Sequence, residues 1–166
     1  MSTRAGNLGG FFACAALLAY AYYAQVVLLL DPCPLCIFQR VGVFALGVVF
    51  LLAAAHDPVR WGRRVYAASL CAAALATIAV ALRQLYLQSL PPDQVPACGA
   101  SLAFMMKVFS LGEVLSKVLT GSGECAAVPW RFLGLAMPAW VLLAALVLCA
   151  FGLWVNLRRQ APVLRF

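Results

Sequence analysis

Residues 8–30 run for 23 positions without one charged side chain. At about 1.5 Å of rise per residue, a helix of that length crosses the hydrocarbon layer of a bilayer. Three further apolar stretches follow: 35–55, with Arg40 near its start; 65–85, with Arg83 near its end; and 135–155. A segment in lipid must satisfy its backbone N–H and C=O groups internally, which makes each stretch a helix. The pattern predicts an all-α membrane protein, a four-transmembrane-helix bundle forming one membrane domain over 1–166. Its spans are expected at 8–30, 35–55, 65–85 and 135–155. Loops 31–34 and 86–134 then share one side. Composition agrees, since 66% of the residues are hydrophobic and 10% are charged, more apolar surface than a soluble domain of this size can bury.

Arg4 and the tripeptide Ala19-Tyr20-Ala21 have the flavour of a cleavable secretory signal. The apolar run continues nine residues past that site, to Leu30, so a retained span is expected. Four spans place both termini on one side, together with 56–64. That side carries Arg4, Arg60, Arg63, Arg64, Arg158, Arg159 and Arg165 against Asp57 alone. The opposite side carries Arg40, Arg83, Lys107, Lys117 and Arg131 against Asp31, Asp93, Glu113 and Glu124. The excess of arginine puts the termini in the cytoplasm of a bacterial inner membrane. Trp61 and Trp154 then mark one interface, and Trp130 and Trp140 the other. The net charge of +7 is explained by this sidedness; no nucleic-acid motif accompanies it, and no nucleic-acid partner is expected.

There are seven cysteines. Cys14, Cys71 and Cys149 lie inside apolar runs and read as small inert hydrophobes. Cys33, Cys36, Cys98 and Cys125 all fall on the outer side, which in a bacterium is the oxidising periplasm. Loop 86–134 holds the last two. It opens with Pro91, Pro92 and Pro96 and carries Gly121-Ser122-Gly123 near its end. Between these breakers, Leu102, Met105, Met106 and Phe109, followed by Leu111, Val114, Leu115 and Val118, have helical spacing. They predict a short amphipathic helix, lying on the membrane surface or packed on the protein itself.

Cys33-Pro34-Leu35-Cys36 ends one span's connection and begins the next. Pro34 suits the first helical position, which makes Cys33 the cap and sets Cys36 in the first turn. Unpaired N–H groups and the helix dipole favour an anion there, so Cys36 is expected to be the more thiolate-prone sulfur. Arg40 lies four residues on and shares its face. It needs an anionic partner, an adjacent thiolate or a ligand, or else it snorkels to the headgroups. A static disulfide or half of a metal site is the alternative reading of the CxxC. Cys98 and Cys125 are flanked by Pro96, Gly99, Gly121 and Gly123, and read as accessible, mobile cysteines open to exchange. A structural bridge closing that loop is the alternative. The extended Val95-Pro96-Ala97 stretch before Cys98 suits the groove of a thioredoxin-like partner.

The run Cys33-Pro34-Leu35-Cys36-Ile37-Phe38-Gln39-Arg40 resembles the signature of the disulfide bond formation protein B (DsbB) family. So does Ser122-Gly123-Glu124-Cys125-Ala126 followed by Trp130-Arg131-Phe132-Leu133-Gly134-Leu135-Ala136-Met137-Pro138-Ala139-Trp140. Order and topology match over roughly residues 8–155. The resemblance implies a thiol:quinone oxidoreductase in which all four outer cysteines are catalytic. Cys98 and Cys125 form the disulfide that reoxidises a DsbA-like periplasmic thiol oxidase, and Cys98 takes the mixed disulfide. Cys125 then exchanges with Cys33, and Cys36 is released as a thiolate against a membrane quinone, ubiquinone in preference to menaquinone. Arg40 stabilises that charge, and Gln84 and Met137 line the quinone pocket. Some relatives have an acid where this chain has Gln39 and a histidine where it has Gln84, so the proton source is left open. The one histidine, His56, falls at the far end of the second span.

Three other readings compete. A vitamin K epoxide reductase-like enzyme shares the four-helix plan but carries its CxxC late in the chain. A zinc site needs two CxxC-like halves, and only one is present, so no metal is expected. A membrane scaffold with static disulfides would lack thiol oxidase activity.

Overall fold

The computed structural model describes residues 2–59, 61–91, 93–95, 107–121, 123–128 and 130–158. Cys98 and the start of the predicted amphipathic helix at Leu102, Met105 and Met106 lie outside the described residues. The order is α1 (Thr3–Val26), α2 (Pro34–His56), α3 (Trp61–Ser89), α4 (Leu111–Thr120), α5 (Gly123–Ala126), β1 (Arg131–Phe132), β2 (Leu135–Ala136) and α6 (Met137–Leu157). Helices α1, α2, α3 and α6 are long and apolar enough to cross a membrane, which makes the chain a four-span helical membrane protein.

Helix ends follow local chemistry more than hydropathy. Ser2 caps α1, its hydroxyl accepting from the Ala5 N–H at 3.1 Å, so the helix starts five residues before the apolar stretch. At its other end α1 stops at Val26 rather than at Leu30. Leu29 takes a positive φ of 53°, and the Leu30 N–H turns back to the Ala24 carbonyl at 3.2 Å. Helix α3 runs to Ser89, four residues beyond the predicted span, and carries Gln84 and Gln88 up to the loop.

The centre of the bundle is Phe50, fully buried among Cys14, Val43, Leu46, Leu70, Ala74 and Leu148. Lipid tails are as apolar as leucine, so helices in a bilayer are held by close packing, and small residues permit it. A Cβ added at Gly10 of α1 would stand 2.6 Å from the Phe50 ring. One added at Gly152 of α6 would stand 2.8 Å from Leu70 Cδ1 and 3.2 Å from Phe50 Cζ. These two glycines let α1 and α6 close on the same ring. Cys71 of α3 and Cys149 of α6 meet across their interface, sulfurs 3.3 Å apart.

At the terminus end, Asn7 of α1 and Asn156 of α6 are buried and exchange amide hydrogen bonds at 3.2 and 3.0 Å. Such pairs between membrane helices contribute on the order of 1 kcal/mol.

At the loop end, Ser110 caps α4, with its N–H and hydroxyl both donating to the Glu113 carboxylate, at 3.0 and 2.8 Å. Val114 and Val118 are buried with Leu35, Leu87 and Cys125, so this face of the amphipathic helix is covered by the protein itself. Arg83 of α3 donates to the Thr120 carbonyl at 2.8 Å, a cation at a helix C-terminus. Gly121 turns the chain with φ +85°, where a Cβ would lie 2.2 Å from Leu87 Cδ1. A two-stranded hairpin pairs Arg131 with Ala136 and Phe132 with Leu135. Its two turn residues, Leu133 and Gly134, both have positive φ, 51° and 80°, as a tight right-twisting hairpin requires.

Candidate functional site

Cys33 is the N-cap of α2, with extended backbone and with Pro34 in the first turn. Its sulfur accepts from the Cys36 N–H at 3.4 Å. The two sulfurs are 3.0 Å apart, with the Cys33 thiol donating to Cys36. Cys125, on the single turn α5, is also buried and hydrogen-bonds Cys33. Three of the four outer cysteines therefore share one cluster, walled by Leu35, Leu87, Val114 and Val118. The expectation of a mobile, accessible Cys125 is corrected here. Gly121 folds the chain over Leu87, and α4 seals the cysteine beneath its buried valines.

This crowding acts on Cys33. Hydrogen bonding with Cys125, then with Cys36, then burial, push it well above the usual thiol range. All three favour the neutral S–H.

Two amides complete the polar cluster. Gln84 is 3% exposed; its Nε2 donates to Cys36 Sγ at 3.3 Å and to Cys33 Sγ at 3.4 Å. Gln39, equally buried, donates to Gln84 Oε1 at 2.7 Å. Arg40 turns elsewhere. Its guanidinium donates to Gln25 Oε1 at 2.5 Å and to the Ala21 carbonyl at 3.0 Å, both on α1. It is half-buried and neither snorkels freely nor bonds Cys36; its partners are neutral.

Both Arg40 and Cys36 line a groove of about 1040 Å³. One wall is α1 from Ala13 to Ala24, and the other is α6 from Met137 to Leu148. At its polar end stand Cys33, Cys36, Gln39, Arg40 and Gln84, with Asp31 and Glu124. Its aromatic rim is Tyr20, Trp130, Phe132 and Trp140. Trp130 and Phe132 stack with centroids 5.9 Å apart, and the Trp140 Nε1–H donates to the Phe132 carbonyl at 3.2 Å. Met137 lines the wall at the first residue of α6. Thus Cys33, Cys36, Arg40, Gln84 and Met137 all reach one groove, while Cys98 lies outside the described residues.

Sequence reasoning missed Gln25 and the hairpin. A lone amide in an otherwise apolar span is costly without a partner, and that signal pointed to Gln25. The hairpin was visible as Leu133-Gly134 between Arg131-Phe132 and Leu135-Ala136 only to a reader expecting such short strands.

A dithiol at the head of a membrane span, beside a third cysteine and a large apolar groove, defines a multi-pass membrane protein built for thiol chemistry. The sequence model of the family described as disulfide bond formation protein DsbB matches residues 3–155, and the chain belongs to that family. It is 50% identical over 160 residues to disulfide bond formation protein B of Chromobacterium violaceum, covering 96% of each chain. It is 52% identical over 152 residues to the protein of that name from Marinobacter nauticus, covering 92% of this chain and 90% of the other. With that of Nitrosococcus oceani it shares 54% over 145 residues, covering 87% of this chain and 86% of the other.

Proposed function

We propose that this chain is a thiol:quinone oxidoreductase that reoxidises a periplasmic thioredoxin-like dithiol of the DsbA type and passes the electrons to a membrane quinone. The observation that carries the reading is Cys33 and Cys36 at the polar end of a groove that runs down between α1 and α6, with Cys125 buried in the same cluster as Cys33. Static disulfides need no such groove.

In the reaction, a thiolate of the partner attacks Cys98 of a Cys98–Cys125 disulfide. One S–S bond breaks, a mixed disulfide forms and Cys125 leaves as thiolate. The partner's second thiol resolves the mixed disulfide, and the partner departs oxidised. Cys125 attacks Cys33 of a Cys33–Cys36 disulfide, and Cys36 leaves as thiolate. The packing of Cys33 and Cys125 in one buried cluster supports that exchange. The sum of these steps moves two electrons from the partner onto Cys98 and Cys36: the partner holds a disulfide, Cys33 and Cys125 hold another, and a bound quinone would be the acceptor that takes the two electrons and two protons onward.

The groove fits a quinone by the chemistry of its lining. Arg40 donors beyond those bound to α1 suit a carbonyl oxygen at one end, where Gln84 also lines the groove, and Met137, Leu17 and Val147 suit an isoprenoid chain along the wall. When bound, such a group supplies two-electron, two-proton acceptance. Arg40 anchors the polar end to α1, and Gln84 holds the sulfurs. Gln39 and Gln84 deliver no proton of their own, so protons enter from water.

The membrane is read as the bacterial inner membrane, with both termini cytoplasmic and the cysteine cluster periplasmic, on the arginine asymmetry of the loops. The decisive experiment mixes purified protein, a reduced DsbA-type protein and either ubiquinone or menaquinone. Expected is quinone-dependent thiol oxidation, faster with ubiquinone and abolished by Cys36→Ser. Failure with both quinones removes the proposal.

A further inference from the structure

A primary amide has two unlike ends: its oxygen only accepts hydrogen bonds and its nitrogen only donates them. Which end of Gln84 faces the dithiol therefore decides the local field at the sulfurs. In the structure Gln84 Oε1 takes the Gln39 Nε2–H at 2.7 Å and lies 3.6 Å from Cys36 Sγ, whereas Gln84 Nε2 is nearer the sulfurs, 3.3 Å from Cys36 and 3.4 Å from Cys33. Both amides are 3% exposed, so water is not at hand to satisfy the reverse arrangement.

We propose that Gln39 is a positioning residue that sets the polarity of Gln84, holding its N–H donors on the Cys33–Cys36 sulfurs. A donor aimed at sulfur stabilises it as an anion, and an acceptor there opposes the anion. Gln39 touches neither sulfur among its hydrogen bonds and acts through its neighbour. The inference deepens the redox reading of the Cys33–Cys36 pair and rests on it.

The other ionisable groups facing Cys36 come from three elements. On α2 there are Cys33 and Arg40, the latter held by α1. Asp31 precedes α2, and Glu124 and Cys125 come from α5. Helices α3 and α6 line the groove with uncharged side chains. Asp31 and Glu124 thus add negative charge to the same groove, and the Gln84 N–H donors act against it.

The test uses full-length, fully reduced protein in lipid nanodiscs, without quinone or partner. Iodoacetamide modification of Cys36 is followed by peptide mass spectrometry as a function of pH. Gln84→Met is expected to slow modification at pH 7 by about tenfold, the loss of one hydrogen bond to an anion. Gln39→Met, which frees Gln84 to rotate, is expected to slow it by a smaller factor. The double variant should match Gln84→Met alone, because Gln39 has nothing left to orient. Gln39→Glu serves as a second probe: its carboxylate draws the Gln84 N–H away, and its effect should shrink when Gln84 is Met. An unchanged rate in Gln39→Met, or factors that multiply in the double variant, overturns the proposal. So does a Gln39→Glu effect of full size in the Gln84→Met background. Alkylation needs no turnover, so a protein inert in the quinone assay can still show or lack this coupling, and the two failures are distinguishable.

Discussion

Arg40 donates in two directions at once, to the Gln25 side chain at 2.5 Å and to the Ala21 carbonyl at 3.0 Å. A guanidinium can do this because its donors are spread in a rigid planar fork, whereas an ammonium is a compact point charge. Arg40→Lys is therefore expected to keep the charge in the groove and lose its direction. The apparent KM for quinone should rise about tenfold, the effect of one charge-assisted hydrogen bond misplaced, with a smaller change in kcat. Steady-state kinetics at saturating reduced partner measure this, and an unchanged KM would remove Arg40 from the quinone end. Cys33 offers a second prediction at this scale. Its hydrogen bonds to Cys125 and Cys36, and its burial, hold it above the ordinary thiol range, so it stays protonated as pH rises through neutrality. In the reduced protein its alkylation should be negligible at pH 7 and should appear only in alkaline solution. Cys125→Ala removes the first of those causes and should bring the alkylation of Cys33 to lower pH.

Among the elements, the hairpin and the small-residue contacts are the most sensitive to single changes. Gly134 has φ +80° and Leu133 φ +51°, the pair of positive values that lets two residues close the turn. Gly134→Val places a β-branched residue where the backbone is left-handed, at a cost of about 1–2 kcal/mol. Because Phe132 and Trp140 are joined through this hairpin, the rim of the groove should loosen. Limited proteolysis near 131–136 is expected to quicken while the bundle's melting temperature stays close to that of the parent protein. Gly152→Ala acts on the bundle instead. Its Cβ would meet Leu70 and Phe50, and overpacking of this kind costs about 1–3 kcal/mol. Thermal unfolding in detergent should show the loss, with the hairpin's protease resistance unchanged.

For the whole molecule, the governing feature is how α1 and α6 are joined. The Asn7–Asn156 pair ties them at the terminus end, and the groove separates them at the loop end. That places the open side of the bundle next to the cysteine cluster and leaves the terminus end closed. The sidedness itself is testable. An impermeant thiol reagent applied to the outside of spheroplasts should label a cysteine introduced at Ser89 and leave one introduced at Asp57 unlabelled until the membrane is broken. The reverse pattern would invert the proposed topology and put the cysteine cluster in a reducing compartment.

Much of this was legible in one dimension. Four helices followed from apolar length alone, because lipid leaves the backbone no other way to pair its polar groups. Pro34 and the CxxC placed Cys33 at a helix cap, as the structure has it, because capping depends only on neighbouring residues. Boundaries were less legible: the Ser2 cap and the left-handed Leu29 shifted α1 by four or five residues, and hydropathy is blind to both. The flanking glycines of Cys125 looked like signs of mobility. Glycine marks a backbone that must turn tightly, and it does not tell whether the turn ends in solvent or under another element.

The opening feature, a long apolar stretch that recurs three more times with at most one charge in each, determined by itself that this is a helical membrane bundle. Three-dimensional packing alone decided that Cys125 is buried against Cys33, that Arg40 bonds to α1, and that Gln39 turns Gln84 toward the sulfurs. The physical reason is range. Hydropathy and capping act between neighbours in the chain, whereas each of these contacts joins residues 15 or more positions apart, brought together only when the helices pack.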